Sequence, residues 1–148
     1  MELVILIGIQ ASGKSTFYKE RFFNTHMRIS MDLLNTRNKE QKFLDMCFSI
    51  QQRIVIDNTN PTKHERGKYI QMAKENNYRI TGYYFQSKLE NSIKRNKERK
   101  GKERIPDIGI KATYSKLELP TFDEDFDELY YVEINDNNFK IMEWRNEI

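Results

Sequence analysis

A second cysteine is missing from this chain of 148 residues, so Cys47 cannot form an internal disulfide, and a reducing, cytoplasmic setting is expected. Cys47 falls with Phe43, Met46 and Ile50 at helical spacing, which predicts core packing. Also missing is an apolar run near the roughly 20 residues that a membrane span needs. Met1 to Ile9 has neither the basic region nor the cleavage site of a signal peptide, so a soluble, non-exported protein with no membrane partner is expected. Linkers rich in Pro or Gly/Ser, low-complexity stretches and internal repeats are absent too, which points to one domain over 1–148. Histidine is scarce: His26 and His64 have no partner at metal-ligand spacing and are expected as surface or packing residues. The net charge of +3 is too small to argue a nucleic-acid partner from the total.

Charge is unevenly placed, however. Lys94, Arg95, Lys97, Arg99, Lys100, Lys102 and Arg104 fall in one stretch that can meet phosphates. Glu118, Asp123, Glu124, Asp125, Asp127 and Glu128 crowd a later one, most simply a solvated loop. Leu3 to Ile7 is an unbroken branched apolar run, the pattern of a strand covered on both faces in a parallel sheet. Met27–Ser30, Ile54–Ile56, Ile80–Phe85 and Leu129–Ile134 are further strand candidates. Between them, helices are expected over Lys14–Phe23, Lys39–Gln51, Thr62–Asn76, Leu89–Arg99 and Asp107–Leu117. Repeated βαβ units predict a three-layer α/β sandwich with a parallel sheet. No element is assigned after Asn135. Trp144, Tyr114, Tyr130 and Tyr131 can stack a base, but aromatics near strands more often fill cores.

Gly8-Ile9-Gln10-Ala11-Ser12-Gly13-Lys14-Ser15, followed by Thr16, satisfies the Walker A pattern between a strand and a helix. The glycines let backbone N–H groups turn around phosphates, Lys14 reaches the β- and γ-phosphates, and the Ser15 hydroxyl can ligate Mg²⁺. The expected cofactors are therefore ATP, or another NTP, and Mg²⁺. Asp32 lies just past the second strand, where open α/β sheets put ligand-binding groups, and can accept a proton from an attacking hydroxyl. Aspartate is also a favoured cap before a helix starting near Leu33, and both roles stay open.

Ile54-Val55-Ile56-Asp57-Asn58-Thr59-Asn60 looks like a Walker B variant. Asp57 can hold a water of the Mg²⁺ shell or a basic side chain, and Thr59 and Asn60 can hydrogen-bond near the acceptor. Asn60 before Pro61 equally suits a helix N-cap. The basic helix end and glycine-containing loop, about 94–106, have the composition of a phosphate-closing lid, with Arg95 and Arg99 on one helical face. A solvated helix end satisfying its dipole has the same composition.

On Gly8 to Thr16, Ser30-Met31-Asp32, Asp57 to Asn60, the Arg95-Asn96-x-x-Arg99 segment and Phe126 to Val132, in that order and spacing, the chain resembles the polynucleotide 5′-hydroxyl kinases. These include the phage type and the kinase module of bacterial RNA-repair enzymes, within a wider group of P-loop kinases. The resemblance implies an adenylate-kinase-like fold, Lys14 and Ser15 on triphosphate and metal, Asp32 as general base, Asp57 in support, and Arg95 and Arg99 as lid arginines. It departs at Asn35, where the family carries an arginine for the acceptor phosphate; Arg37 is the nearest substitute and Arg28 a weaker one.

The reading that follows is an NTP-dependent kinase acting on the 5′-OH end of RNA or DNA, with a separate phosphatase or ligase as a partner. A small-molecule kinase for a nucleoside, sugar or other metabolite is the alternative, favoured by Asn35. A nucleotide-binding regulatory module is the third, and Asp32 argues against it.

Overall fold

Leu3 to Ile7 offers no polar side chain to water, so both its faces must be covered. The computed structural model, which describes residues 1–135 and 138–145, places this run as β1 (Glu2–Ile7) inside a six-stranded sheet. The order is β2-β3-β1-β4-β5-β6, with β2 at Met27–Ile29, β3 at Ile54–Asp57, β4 at Arg79–Phe85, β5 at Glu128–Asn135 and β6 at Asn138–Glu143. The first five strands are parallel, while β6 runs antiparallel to β5. The expectation of a parallel sheet is corrected at that edge, in the segment to which no element was assigned.

Alternate side chains of β1 feed two cores. Leu3, Ile5 and Ile7 meet Leu44, Cys47, Tyr69, Ile70 and Ala73 from α3 (Arg37–Ser49) and α4 (Lys63–Glu75). Val4 and Leu6 meet Phe17, Tyr18 and Phe22 in and just after α1 (Lys14–Arg21), together with Phe85 and Val132. A helix layer on each face gives the three-layer α/β architecture expected. Each expected helix forms, with ends displaced by less than a turn; α2 (Met31–Leu34), α5 (Leu89–Lys97) and α6 (Asp107–Lys116) complete the set. Among the described residues no helix is long and apolar enough to cross a membrane.

Two expectations are corrected by packing. Cys47 is buried, but Phe43, Met46 and Ile50 are exposed, because the inward stripe of α3 is Glu40, Leu44, Cys47 and Phe48. The acidic stretch is more than a solvated loop. Glu124 accepts from Arg66 Nε at 2.7 Å and Nη2 at 3.1 Å, and Asp127 accepts from the Ile80 amide at 2.8 Å. Arg66 is fully buried and also donates to the Asn60 and Glu118 carbonyls, so it ties together loops around the β3 end. Trp144 is buried edge-on against Tyr84, and Tyr130 stacks on Tyr83, both as packing; Tyr114 is exposed. His26 packs beneath Phe22 and bonds Glu2, and His64 lies on the surface.

Candidate active site

β1 ends at Ile7, and its chain turns through Gly8 to Gly13 before entering α1. Gly13 has a left-handed φ of 97°, and a Cβ there would lie 2.6 Å from Ile134 Cδ1, so glycine is required on both counts. No side chain caps α1 and its first turn holds no acid, so its leading amides are left to an anionic ligand. Neighbours fix the loop from all sides. The Gly8 amide donates to the Thr59 carbonyl at 3.0 Å, the Ile9 amide to Ser87 Oγ at 3.1 Å, and Gln10 Nε2 to Thr113 Oγ1 on α6 at 2.9 Å. Thr16 faces solvent on α1.

Lys14 is 8% exposed, and its ammonium donates to the Gly8 carbonyl at 2.9 Å, the Ile9 carbonyl at 2.8 Å and Ser12 Oγ at 3.3 Å. Burial pushes its pKa down to about 8; Asp57 and Asp32 pull it back up and Arg99 presses it further down. A buried cation among carbonyls, beside uncapped helix amides, fits the triphosphate that the Walker A pattern predicts.

Ser15 Oγ donates to Asp57 Oδ2 at 2.9 Å, bringing the two expected metal-side residues together. Arg28, from β2, donates through Nε to the same Asp57 oxygen at 2.7 Å and through Nη2 to Ser15 Oγ at 3.3 Å. This corrects the placing of Arg28 with the acceptor: it sits with the nucleotide-side residues. A hydroxyl and a carboxylate are the oxygen donors Mg²⁺ prefers, so the pair fits that ion. Among the described residues no three His, Cys, Asp or Glu side chains converge, so phosphate and water oxygens would complete such a shell.

Past β2, Ser30 is the extended N-cap of α2, its Oγ accepting from the Asp32 amide at 3.2 Å. Asp32 is therefore not the cap. Its carboxylate is exposed, bonded to no protein group among the described residues, and near enough to Lys14 to act on its charge. Asn35 closes α2 in the left-handed region at φ 66°, which asparagine tolerates, and bonds its amide to the Leu33 carbonyl. Arg37 opens α3 with Nη1 shared between Glu40 Oε1 at 3.0 Å, Oε2 at 3.2 Å and Tyr69 OH at 3.1 Å. Its side chain stays 57% exposed. Burial lowers the Arg37 pKa, but its bonds to Glu40 and Tyr69 outweigh that and hold it above the ordinary value.

Glu40 and Tyr69 lie beneath the candidate site and were not singled out from the sequence, and Asn58 joins them. Tyr69 OH donates to Glu40 at 2.8 Å, and Asn58 Nδ2 reaches Tyr69 OH at 3.3 Å while its Oδ1 accepts from the Met31 amide at 2.9 Å. Arg37 and the Asp32 turn are thus supported by one buried network. The signal for Glu40 was a charge on the apolar stripe of Leu44, Cys47 and Phe48. Asn60 needs correction: Thr62 is the N-cap of α4, and Asn60 is buried at φ 46° with its amide donated to the Leu6 carbonyl at 2.7 Å. That amide braces β1 against β3 rather than facing an acceptor.

In the basic segment, Arg95 Nη1 donates to the Ala11 carbonyl at 2.9 Å, so α5 lies over the phosphate loop. Burial pulls the Arg95 guanidinium below the ordinary arginine value. Arg99 donates to the Glu103 carbonyl at 3.2 Å and remains within electrostatic reach of Lys14. Asn96 pins the turn after α5 through paired bonds with the Ile105 backbone at 2.6 and 3.0 Å. Two surface hollows of the chain, one beside Lys74 and Asp127 and one beside His64 and Lys68, contain none of the predicted site residues.

Known proteins resemble this chain in sequence and in fold. Over 129 residues the chain is 31% identical to the bifunctional polynucleotide phosphatase/kinase of Schizosaccharomyces pombe, covering 84% of this chain and 32% of that protein. Over 135 residues it is 29% identical to a putative bifunctional polynucleotide phosphatase/kinase of Acanthamoeba polyphaga mimivirus, covering 86% and 32%. The chain thus spans about a third of the length of the curated relatives it matches. Its fold is similar to that of Chaetomium thermophilum Kti12, solved with ADP-AlF3, at a TM-score of 0.64 and 18% identity over 90% of both chains. The AAA domain family matches residues 3–120, most of the described sheet and every helix of the site, and the chain belongs to that family.

Proposed function

We propose that this domain transfers the γ-phosphate of ATP, or another NTP, to a hydroxyl, and that the acceptor is the 5′-OH end of RNA or DNA. The observation that carries the reading is Asp32. An exposed carboxylate, unbonded among the described residues, at the carboxyl end of a strand and within the field of the phosphate-loop lysine, has the freedom a general base needs. Both curated relatives have polynucleotide kinase in their names, which supports the acceptor class.

In this reading Gly8 to Thr16 hold the triphosphate, and Ser15, with Asp57 through water, holds the metal. Mg²⁺ would neutralise charge on the β- and γ-phosphate oxygens. Asp32 accepts the proton as the acceptor oxygen bonds to the γ-phosphorus, the bond from that phosphorus to the β–γ bridging oxygen breaks, and the nucleoside diphosphate leaves. Lys14, Arg95 and Arg99 meet the charge that develops. Arg37, gripped along one edge by Glu40, presents its remaining N–H groups to a nucleic-acid phosphate in place of the side chain that Asn35 cannot supply. Thr59 holds the Gly8 amide with its carbonyl and leaves its hydroxyl for the acceptor in this reading. A separate phosphatase or ligase working on the same ends is the partner this reaction calls for.

The test is transfer of radiolabelled γ-phosphate to a 5′-hydroxyl oligonucleotide beside a panel of nucleosides and sugars. Label on the oligonucleotide, reduced about 10²- to 10⁴-fold in kcat by Asp32→Asn at unchanged ATP affinity, is the expected result. Asn35, standing where an arginine would meet an acceptor phosphate, leaves Arg37 alone for that role and so favours a small-molecule acceptor as the second reading. Label on a nucleoside or sugar alone would establish it, and release of free phosphate alone would leave a nucleotide-binding regulatory module.

A further inference from the structure

Asp57 is a buried carboxylate whose side chain is 2% exposed, and Arg28 is the side chain that neutralises it. Arg28 Nε takes Asp57 Oδ2 at 2.7 Å and Nη2 takes Ser15 Oγ at 3.3 Å. Ser15 Oγ already gives its proton to Asp57 Oδ2, so the Arg28 contact falls on an oxygen lone pair. That lone pair is what a divalent ion bound at Ser15 requires, and Asp57 Oδ2 is what a water of its shell would bond. Arg28 is itself held in place. Its guanidinium carbon lies 6.0 Å from the centre of the Tyr18 ring, and Tyr18 OH is fixed by donating to the His26 carbonyl at 2.8 Å.

We propose that Arg28 competes with the divalent cation for Ser15 and Asp57, so that this pocket rejects the bare ion and admits it only together with a phosphate chain. A permanent guanidinium charge beside the ligands repels a second cation in a site poor in solvent. A polyphosphate reverses the balance, because its oxygens add negative charge and can accept the Arg28 N–H groups freed from Ser15. Metal and nucleotide binding are then coupled, and by reciprocity each raises the affinity of the other. This deepens the proposed function and rests on its placing of the metal at Ser15 and Asp57.

The experiment titrates the full chain with Mn²⁺, reading the free ion by electron paramagnetic resonance, alone and with saturating ADP. Wild-type protein is expected to bind Mn²⁺ at least about tenfold more tightly with ADP than without it. Arg28→Gln, which keeps a hydrogen-bonding amide and removes the charge, should tighten binding of bare Mn²⁺ at least about tenfold and shrink the ADP effect. Arg28→Lys, which keeps the charge, should stay near wild type. Unchanged or weaker bare Mn²⁺ affinity in Arg28→Gln, or equal tightening in Arg28→Lys, overturns the proposal. Should Arg28→Gln lack a cooperative thermal transition, the wild-type pair of titrations decides alone: equal Mn²⁺ affinity with and without ADP overturns it. None of these readings needs phosphoryl transfer, so a chain that moves no phosphate and still shows the Arg28 effect would defeat the kinase reading and keep this one.

Discussion

Lys14 and Asp57 are 8% and 6% exposed and bonded on several sides, whereas Asp32, Asn35 and Arg37 lie in the open around α2. The proposed nucleotide side is built from one continuous loop closing on the ends of β1 and β3, with Arg28, Thr59, Ser87 and Arg95 fixing it from four other segments. The α2 side consists of a single helical turn and the start of α3, supported from beneath by Glu40, Tyr69 and Asn58. A triphosphate has the same shape in every turnover, so a preorganised cradle loses nothing by rigidity. An acceptor that varies is better met by exposed side chains on a firm base, where a substitution alters recognition without opening the core.

The sharpest way to break that division is Lys14→Met. Transfer should fall at least about 10³-fold with every acceptor, measured by label transfer, because the lysine acts on the phosphates and not on the acceptor. The melting temperature should not fall, since the change removes a cation that burial disfavours. A loss confined to one class of acceptor would show that Lys14 belongs to both sides. Arg37→Ala should act more gently, raising KM for an oligonucleotide about tenfold while leaving ADP affinity and any nucleoside acceptor unchanged. If ADP affinity drops as well, the two sides are coupled through Asn58 and the division is too clean.

The smallest effect is in pH. Lys14 titrates near 8 in the folded chain against 10.5 for an ordinary lysine, so the unfolded chain binds the extra proton between those values. Its burial therefore costs stability below about pH 8, and the cost is relieved as pH rises toward 10.5. In the proposed site a bound phosphate chain would restore the ammonium, so nucleotide binding above pH 8 is expected to take up a proton. ADP affinity should weaken about threefold between pH 7.5 and 8.5, with calorimetry in buffers of different ionisation enthalpy reporting the uptake. Lys14→Met should show neither effect, and proton uptake persisting in that variant would assign the titration to another group.

The nucleotide side was legible because its parts are contiguous: an apolar run, a glycine loop and a helix fall within Leu3 to Arg21. Asp32 and Asp57 could be found because each ends or follows a short apolar strand. The support beneath Arg37 could not, since Glu40, Asn58 and Tyr69 come from three elements and meet only after the sheet is assembled. Arg28 was misplaced for a related reason. Position along the chain puts it near Asp32, but its register opposite Val55 puts its side chain on the sheet face that Asp57 shares. β6 went unassigned because its signal is short: Asn138-Phe139-Lys140-Ile141 alternates, with Phe139 and Ile141 packed toward α1, but Met142 breaks the period after four residues.

Phe139 Cε1 and Ile134 Cδ1 stand where a Cβ of residue 13 would be, 3.1 and 2.6 Å from it. The β5–β6 hairpin, beyond the last residue of the family match, is thus the rear wall of the phosphate loop. For anyone recombining this domain with a relative, the seam cannot be drawn at residue 120. The loop and the hairpin have to travel together as one cassette, because a bulkier residue in either would be felt first in the other.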